Sequence, residues 1–320
     1  MMAGTSSEKK AMEVCKGMND LDKVVLREVN GSSAEVYLYG GHVTSWKNVH
    51  GEELLFLSSK ATFNPPHPIR GGIAICFPQL AEHGPLKKLH GFARNSFWSI
   101  DEKPLLEAPE NSKAFVDLIL KPSENDLNIW PHRFEFRLRL TLKSGGESGH
   151  LILISQIGNL NTAGKSFDFT FGYHTYLPVS SDDIGSVRVE GPDTMHCFDK
   201  LQKGELNTEQ YDAAIKIEGQ VDKIYLNTPT KIAIIDHESN RTYVMNKGGL
   251  PDAVLWNPWD KKVKKISNLG DNEYQKMLCV GAAAVEKPIT LKAGAKWKGW
   301  QELHIENSSY NSGELDPQGS

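Results

Sequence analysis

Apolar and polar residues alternate along many short stretches of this chain, and the period is two. In RFEFRLRLTL (133–142), Phe134, Phe136, Leu138, Leu140 and Leu142 share one face, while Glu135, Arg137 and Arg139 share the other. That is the pattern of a strand with one side in a core. AEVYLYG (34–40) and HLILISQIGNL (150–160) alternate likewise, and the glycine-rich KSGGESG between the two longer runs reads as a hairpin loop. Further strands are predicted at 23–29, 42–47, 114–120, 167–173, 231–236 and 242–245, with turns at VNGSS, VHGEE, KPSEND and DHESN. Helical spacing is confined to short pieces near 123–128 and 272–276. The pattern predicts an all-β protein, a large antiparallel sandwich of about twenty strands.

No internal repeat, low-complexity linker or composition break divides the chain. The reading is therefore a flexible leader (1–20), one β-sandwich domain (21–306) and a frayed tail (307–320). With 36 Lys+Arg against 40 Asp+Glu, the surface has no bulk charge to draw nucleic acid or an anionic membrane, so an anionic ligand must be caught locally. No apolar run approaches a membrane span, and the N-terminus lacks a secretory signal. Cys15, Cys76, Cys197 and Cys279 are scattered with no C-x-x-C pair, as reduced thiols of a cytoplasmic protein would be.

The eleven histidines form no zinc-type spacing, and the phosphate-cradle and hydrolase motifs are missing, so no metal or organic cofactor is expected. Two punctuated segments remain, IRGGIAICFPQL (69–80) and LHGFARNSFW (89–98). Arg70 precedes Gly71 and Gly72, whose N–H groups are expected to approach a ligand, and Arg94 follows His90. Two guanidiniums beside a glycine turn suit a phosphate. His174 lies between aromatics in FTFGYHTYLPVS, and Trp256, Asn257 and Trp259 in DAVLWNPWDKK offer rings and an amide to a sugar, or simply a packed corner.

These segments, taken in order with VDKIYLN and KPITLKAGAKWKGWQEL, resemble the aldose 1-epimerase superfamily, and within it the hexose-6-phosphate mutarotases, from about Lys23 to Leu303. The resemblance implies a mutarotase-type β-sandwich that interconverts the anomers of glucose 6-phosphate by acid–base ring opening. It implies His174 as general acid, Arg70 and Arg94 on the phosphate, and Gln79, His90, Asp222, Trp256 and Asn257 about the sugar. The family's base is a glutamate whose position in MLCVGAAAVEKP falls on Gly281. Glu286 stands at an odd offset about 17 Å along an extended strand and faces away, which leaves Asp222 or a water as candidate substitute base. Reduced activity is the corresponding expectation. The alternatives are a non-catalytic sugar-phosphate binding protein, or an isomerase retuned to another cyclic hemiacetal. The partner is a phosphorylated sugar or related anion, and the default assembly is a monomer.

Overall fold

The computed structural model describes residues 10–307 apart from 105, 110–111, 181–183, 193, 204 and 211–213. The tail at 308–320 lies outside the described residues. In chain order the strands are β1 (Met12–Lys16), β2 (Asp22–Arg27), β3 (Ser33–Tyr37), β4 (His42–Lys47), β5 (Ile73–Cys76), β6 (Ser99–Ile100), β7 (Phe115–Leu120), β8 (Phe134–Lys143), β9 (His150–Asn159) and β10 (Phe167–Pro178). The second half adds β11 (Arg188–Glu190), β12 (Thr194–Asp199), β13 (Glu205–Gln210), β14 (Ile215–Lys216), β15 (Val221–Tyr225), β16 (Lys231–Asp236), β17 (Arg241–Gly248), β18 (Asp252–Asn257), β19 (Met277–Leu291) and β20 (Lys296–Asn307). Among the described residues the two α-helices are short, α1 (Glu124–Ile129) and α2 (Trp259–Val263).

The strands form two sheets. One runs β1-β2-β3-β4-β5-β10-β19-β18-β15-β12-β13, the other β14-β11-β16-β17-β20-β9-β8-β7-β6. The apolar faces pack on each other, as the alternation requires: Phe134, Phe136, Leu138, Leu140 and Leu142 of β8 are all buried in one core with Phe171, Tyr173, Val280 and Ala282 of β10 and β19. Burying a side chain of this size stabilises the fold by about 2 kcal/mol. The all-β sandwich expected from the periodicity is the architecture found.

Two local expectations change. The presumed leader contains β1, which pairs with β2 from Met12↔Leu26 to Lys16↔Asp22. The segment MEVCK makes an edge strand held by its ladder and by Arg27–Glu13 and Lys16–Asp22 ion pairs, with little burial. Met12 and Val14 share one face, but both stay exposed, so this short alternation marks no core-facing strand. The polar face of β8 is also not open to water. Arg139 is 4% exposed, forms two bonds to Asp117 of β7 (2.8 and 2.7 Å) and donates to the carbonyls of Leu106 and Glu107. Arg137 reaches Asp101, so the connection after β6 covers this face.

Candidate functional site

The site lies on the outer face of the eleven-stranded sheet, away from the shared core. Directly opposed residues of an antiparallel ladder share a face. The pairs Tyr176↔Cys279, Cys279↔Trp256 and Trp256↔Asp222 therefore set one row across β10, β19, β18 and β15. Two residues along each strand, His174, Gly281, Val254 and Ile224 make the next row. His174 also pairs with Ala74 of β5, and Cys76 follows on the same face opposite Gly172.

Phe77 explains how the arginine loops reach this face. Its ring is fully buried among Phe92, Trp130, Phe134, Phe136 and Phe169, and its carbonyl accepts from the N–H groups of Phe92 and Ala93. Trp98 Nε1 donates to Ala93 O (3.1 Å), closing the turn that carries Arg94. Arg70 is held from two sides, Nη1 donating to the Tyr176 hydroxyl (3.0 Å) and Nε to Asn268 Oδ1 (3.1 Å). Arg94 donates to Leu89 O (3.3 Å), while its Nε is buried with no partner. Among the described residues neither guanidinium has a carboxylate within ion-pair distance. Both side chains are half-buried, so an anionic group seated between them would gain charge-assisted hydrogen bonds.

His90 is clamped. Its N–H donates to Ala81 O (2.9 Å), and its Nδ1 accepts from Ala81 N–H (3.1 Å) and from the Cys76 thiol (3.4 Å). Its backbone sits at φ +67°, strain of the kind that persists where a side chain must be aimed. With Nδ1 accepting, the neutral ring carries its proton on Nε2. Burial first, then His174 and the nearby Arg94, Lys200 and Arg70 charges, push its pKa well below the usual imidazole range.

The His174 ring meets His90 edge to face, with centroids 4.5 Å apart. Neither of its nitrogens has a protein hydrogen-bond partner among the described residues. Burial, followed by Arg94, Arg70 and Lys200, pushes its pKa down to about 3. The residue is half-buried, so part of its surface stays open on this face. The site is thus electropositive, and its imidazoles are neutral at pH 7.

Other expected residues fall into place differently. Gly71 and Gly72 (φ +104° and +60°) are packed against other strands: a Cβ would strike Phe56 O at the first and Val43 O at the second, and Gly72 N–H donates to Phe56 O. Close backbone packing occupies the turn where ligand contact was expected. Gln79 is fully buried; its amide donates to the carbonyls of Ala81, Leu86 and Lys88 and accepts from Leu86 N–H, so it ties the loop bearing His90. Asn257 is equally buried, donating to Tyr274 O and Met277 O and accepting from Trp259 N–H. It builds the corner into α2, on the opposite side of β18 from Trp256. Trp256 packs on Tyr176 at the cleft surface. Asp222 is bonded to Lys262 (2.9 Å), and Glu286 to Asn227 (2.8 Å).

Gly281 stands opposite His174 in the register fixed by Gly172↔Ala283 and Tyr176↔Cys279. A Cβ there would overlap the carbonyl of Tyr173, so the two backbones approach more closely than any side chain allows. Tyr176, Cys76, Lys200, Lys262 and Asn268 are site residues that the motifs did not single out. Tyr176 was readable by period two from His174; the others come from separate elements and carried no local signal.

Cys76, His90 and His174 have donor atoms within 4.8 Å of one another, a spacing a metal could bridge. The chemistry argues against it. The His90 Nδ1 lone pair is used, burial pushes the Cys76 thiol up to about 12, and Arg94, Arg70 and Lys200 repel a cation.

An antiparallel sandwich presents imidazoles on one sheet face beside guanidiniums that lack carboxylate partners among the described residues, a combination suited to proton transfer on an anionic ligand. The sequence agrees: the aldose 1-epimerase family model matches residues 22–304, and the chain belongs to that family. It is 60% identical over 306 residues, 95% of this chain and 91% of the other, to a Cenchrus ciliaris protein provisionally named glucose-6-phosphate 1-epimerase. A Salmonella typhimurium protein with the same provisional name is 28% identical over 277 residues, 85% of this chain and 86% of its own. A crystal structure from Salmonella typhimurium, provisionally titled a mutarotase, superposes with a TM-score of 0.77 at 24% identity, covering 93% of this chain and 97% of that one.

Proposed function

We propose that this protein interconverts the α and β anomers of a hexose 6-phosphate, glucose 6-phosphate first among them. The observation that carries the reading is the pair Arg70 and Arg94, free of carboxylate partners among the described residues, beside a His174 whose nitrogens have no partner among them either. Ring opening needs a proton delivered to the ring oxygen and another taken from the anomeric hydroxyl. His174 is assigned the first task. In the empty cleft it is held neutral, partly by the two arginines; a seated phosphate dianion offsets those charges and raises the proton affinity of the ring. The substrate's own charge thereby helps to prepare the acid. His90 presents Nε2–H as a fixed donor to a sugar oxygen, Trp256 offers an apolar ring face, and Gln79 and Asn257 act through the loops they hold.

Proton removal falls to Asp222. It shares the cleft face but lies three strand spacings from β10, about 14 Å, too far for direct contact with an atom that His174 also serves. It is assigned to grip a hydroxyl with Lys262 and to take the anomeric proton through a bound water. A positioned base contributes about 10² to 10⁴-fold, so the rate is expected to fall below that of a relative with a glutamate at position 281. NMR exchange between α- and β-glucose 6-phosphate tests the reading. Wild type should accelerate exchange over buffer and His174→Ala should lose that acceleration; binding without acceleration would make the protein a sugar-phosphate binder instead.

A further inference from the structure

A second group of donors lies on the outer face of the nine-stranded sheet, remote from the cleft. His304 of β20 is flanked by His150 of β9, in the register set by Leu303↔Leu151, and Glu302 precedes it by two residues on the same face. One donor atom from each of the three lies within 4.8 Å of the others. His150 Nδ1 and Glu302 Oε1 are 2.6 Å apart, and the His304 Nε2 stands 3.2 Å from Glu306 Oε1. The side chains of His150, Glu302 and His304 are 32%, 25% and 16% exposed, so the group is recessed but reachable.

The protonation pattern is informative. With His304 Nε2–H donating to Glu306 Oε1, the tautomer that this contact favours, Nδ1 is the ring's bare lone pair. That Nδ1 is buried and has no partner. A buried acceptor with nothing to accept is a cost the fold need not carry unless something occupies the position. The carboxylate behind the imidazole is also the arrangement that orients histidine ligands in metal sites.

We propose that His150, Glu302 and His304 form a binding site for a borderline divalent cation of the zinc class, with Glu306 orienting His304. Two imidazoles and a carboxylate suit Zn²⁺ or Co²⁺ and disfavour Mg²⁺ and Ca²⁺, which demand oxygen. The cation replaces the proton shared by His150 and Glu302, His304 Nδ1 supplies the third bond, and water completes the shell. The two rings are now stacked, 4.8 Å between centroids with planes 18° apart, so one must turn before both lone pairs converge. That turn is about a soft sp³–sp² torsion and is cheap. Lys143 stands opposite His150 and works against a cation, while Glu302 and Glu306 work for it. Because a proton is displaced, binding weakens on acidification. The bound ion ties β9 to β20.

The test is a titration of tag-free full-length chain with Zn²⁺, Co²⁺ and, as control, Mg²⁺. One equivalent of Zn²⁺ should bind saturably and raise the melting temperature, and Co²⁺ should give visible bands without thiolate charge transfer. His304→Ala and the milder His304→Asn should weaken Zn²⁺ more than about tenfold, and Glu306→Gln by about tenfold. Each variant's fold is checked by circular dichroism. The inference fails if Zn²⁺ does not saturate, if the His304 variants bind as wild type, or if Cys76→Ser is what abolishes binding.

Discussion

Gly281 stands across the ladder from His174, with its Cα pressed against the carbonyl of Tyr173 so that no Cβ fits between them. A side chain at position 281 therefore has no room, because the neighbouring backbone occupies it. Gly281→Ala and Gly281→Glu should each destabilise the protein by roughly 2–3 kcal/mol through forced strand separation, read from urea midpoints. A Gly281→Glu variant as stable as wild type would show that the strands part easily, and that the site could take back a carboxylate.

The two arginines should act on the phosphate and not on the sugar. A charge-assisted hydrogen bond is worth about 1.5–3 kcal/mol, so Arg94→Ala should weaken hexose 6-phosphate binding by roughly 10- to 100-fold. Arg94→Lys should restore little, since the fork geometry is lost. Calorimetry with glucose 6-phosphate and with glucose separates the outcomes: equal losses for both would place Arg94 away from the phosphate.

Acid should unfold this protein through its buried histidines. His42 is 1% exposed, Nε2–H bonded to Gly71 O (2.7 Å), and burial pushes its pKa down to about 4; His174 is pushed down to about 3. Both values lie below the unfolded imidazole's, so the unfolded state binds more protons between about pH 6.5 and pH 3. Stability is thus full above that window and falls as pH drops through it, by on the order of 3 kcal/mol at pH 4 for His42. His42→Gln, whose amide can still donate to Gly71 O, should flatten the pH dependence of the urea midpoint; an unchanged slope would assign the acid lability elsewhere.

The Arg139–Asp117 pair is expected to matter as a unit. Both side chains are almost wholly buried, and breaking such a pair from one side costs about 3–5 kcal/mol. Asp117→Leu should approach that loss, whereas Asp117→Leu with Arg139→Met should recover most of it. Thermal unfolding of the single and double variants measures the difference.

The alternation of β8 and β9, the lone histidine of β10 and the two arginine loops were all readable because each is a local pattern. What could not be read depends on contacts between distant segments. Gln79 and Asn257 carry amides that look ready for a sugar, and only the tertiary structure reveals that carbonyls already consume them. Gly71 and Gly72 looked like a ligand cradle because a tight backbone crossing and a phosphate loop ask for the same residue. The group His150, Glu302 and His304 was invisible to spacing rules, since its members meet only through the pairing of β9 with β20.

Arg70 and Arg94 ride on connections beside β5, whereas His174, Gly281, Trp256 and Asp222 belong to the strands themselves. If the proposed roles hold, choice of cargo and the capacity to transform it are written in separable parts of the chain. On that reading a descendant would exchange its anion by rebuilding two loops while every strand keeps its register, and one letter in β19 would slow the chemistry while the same cargo is still held.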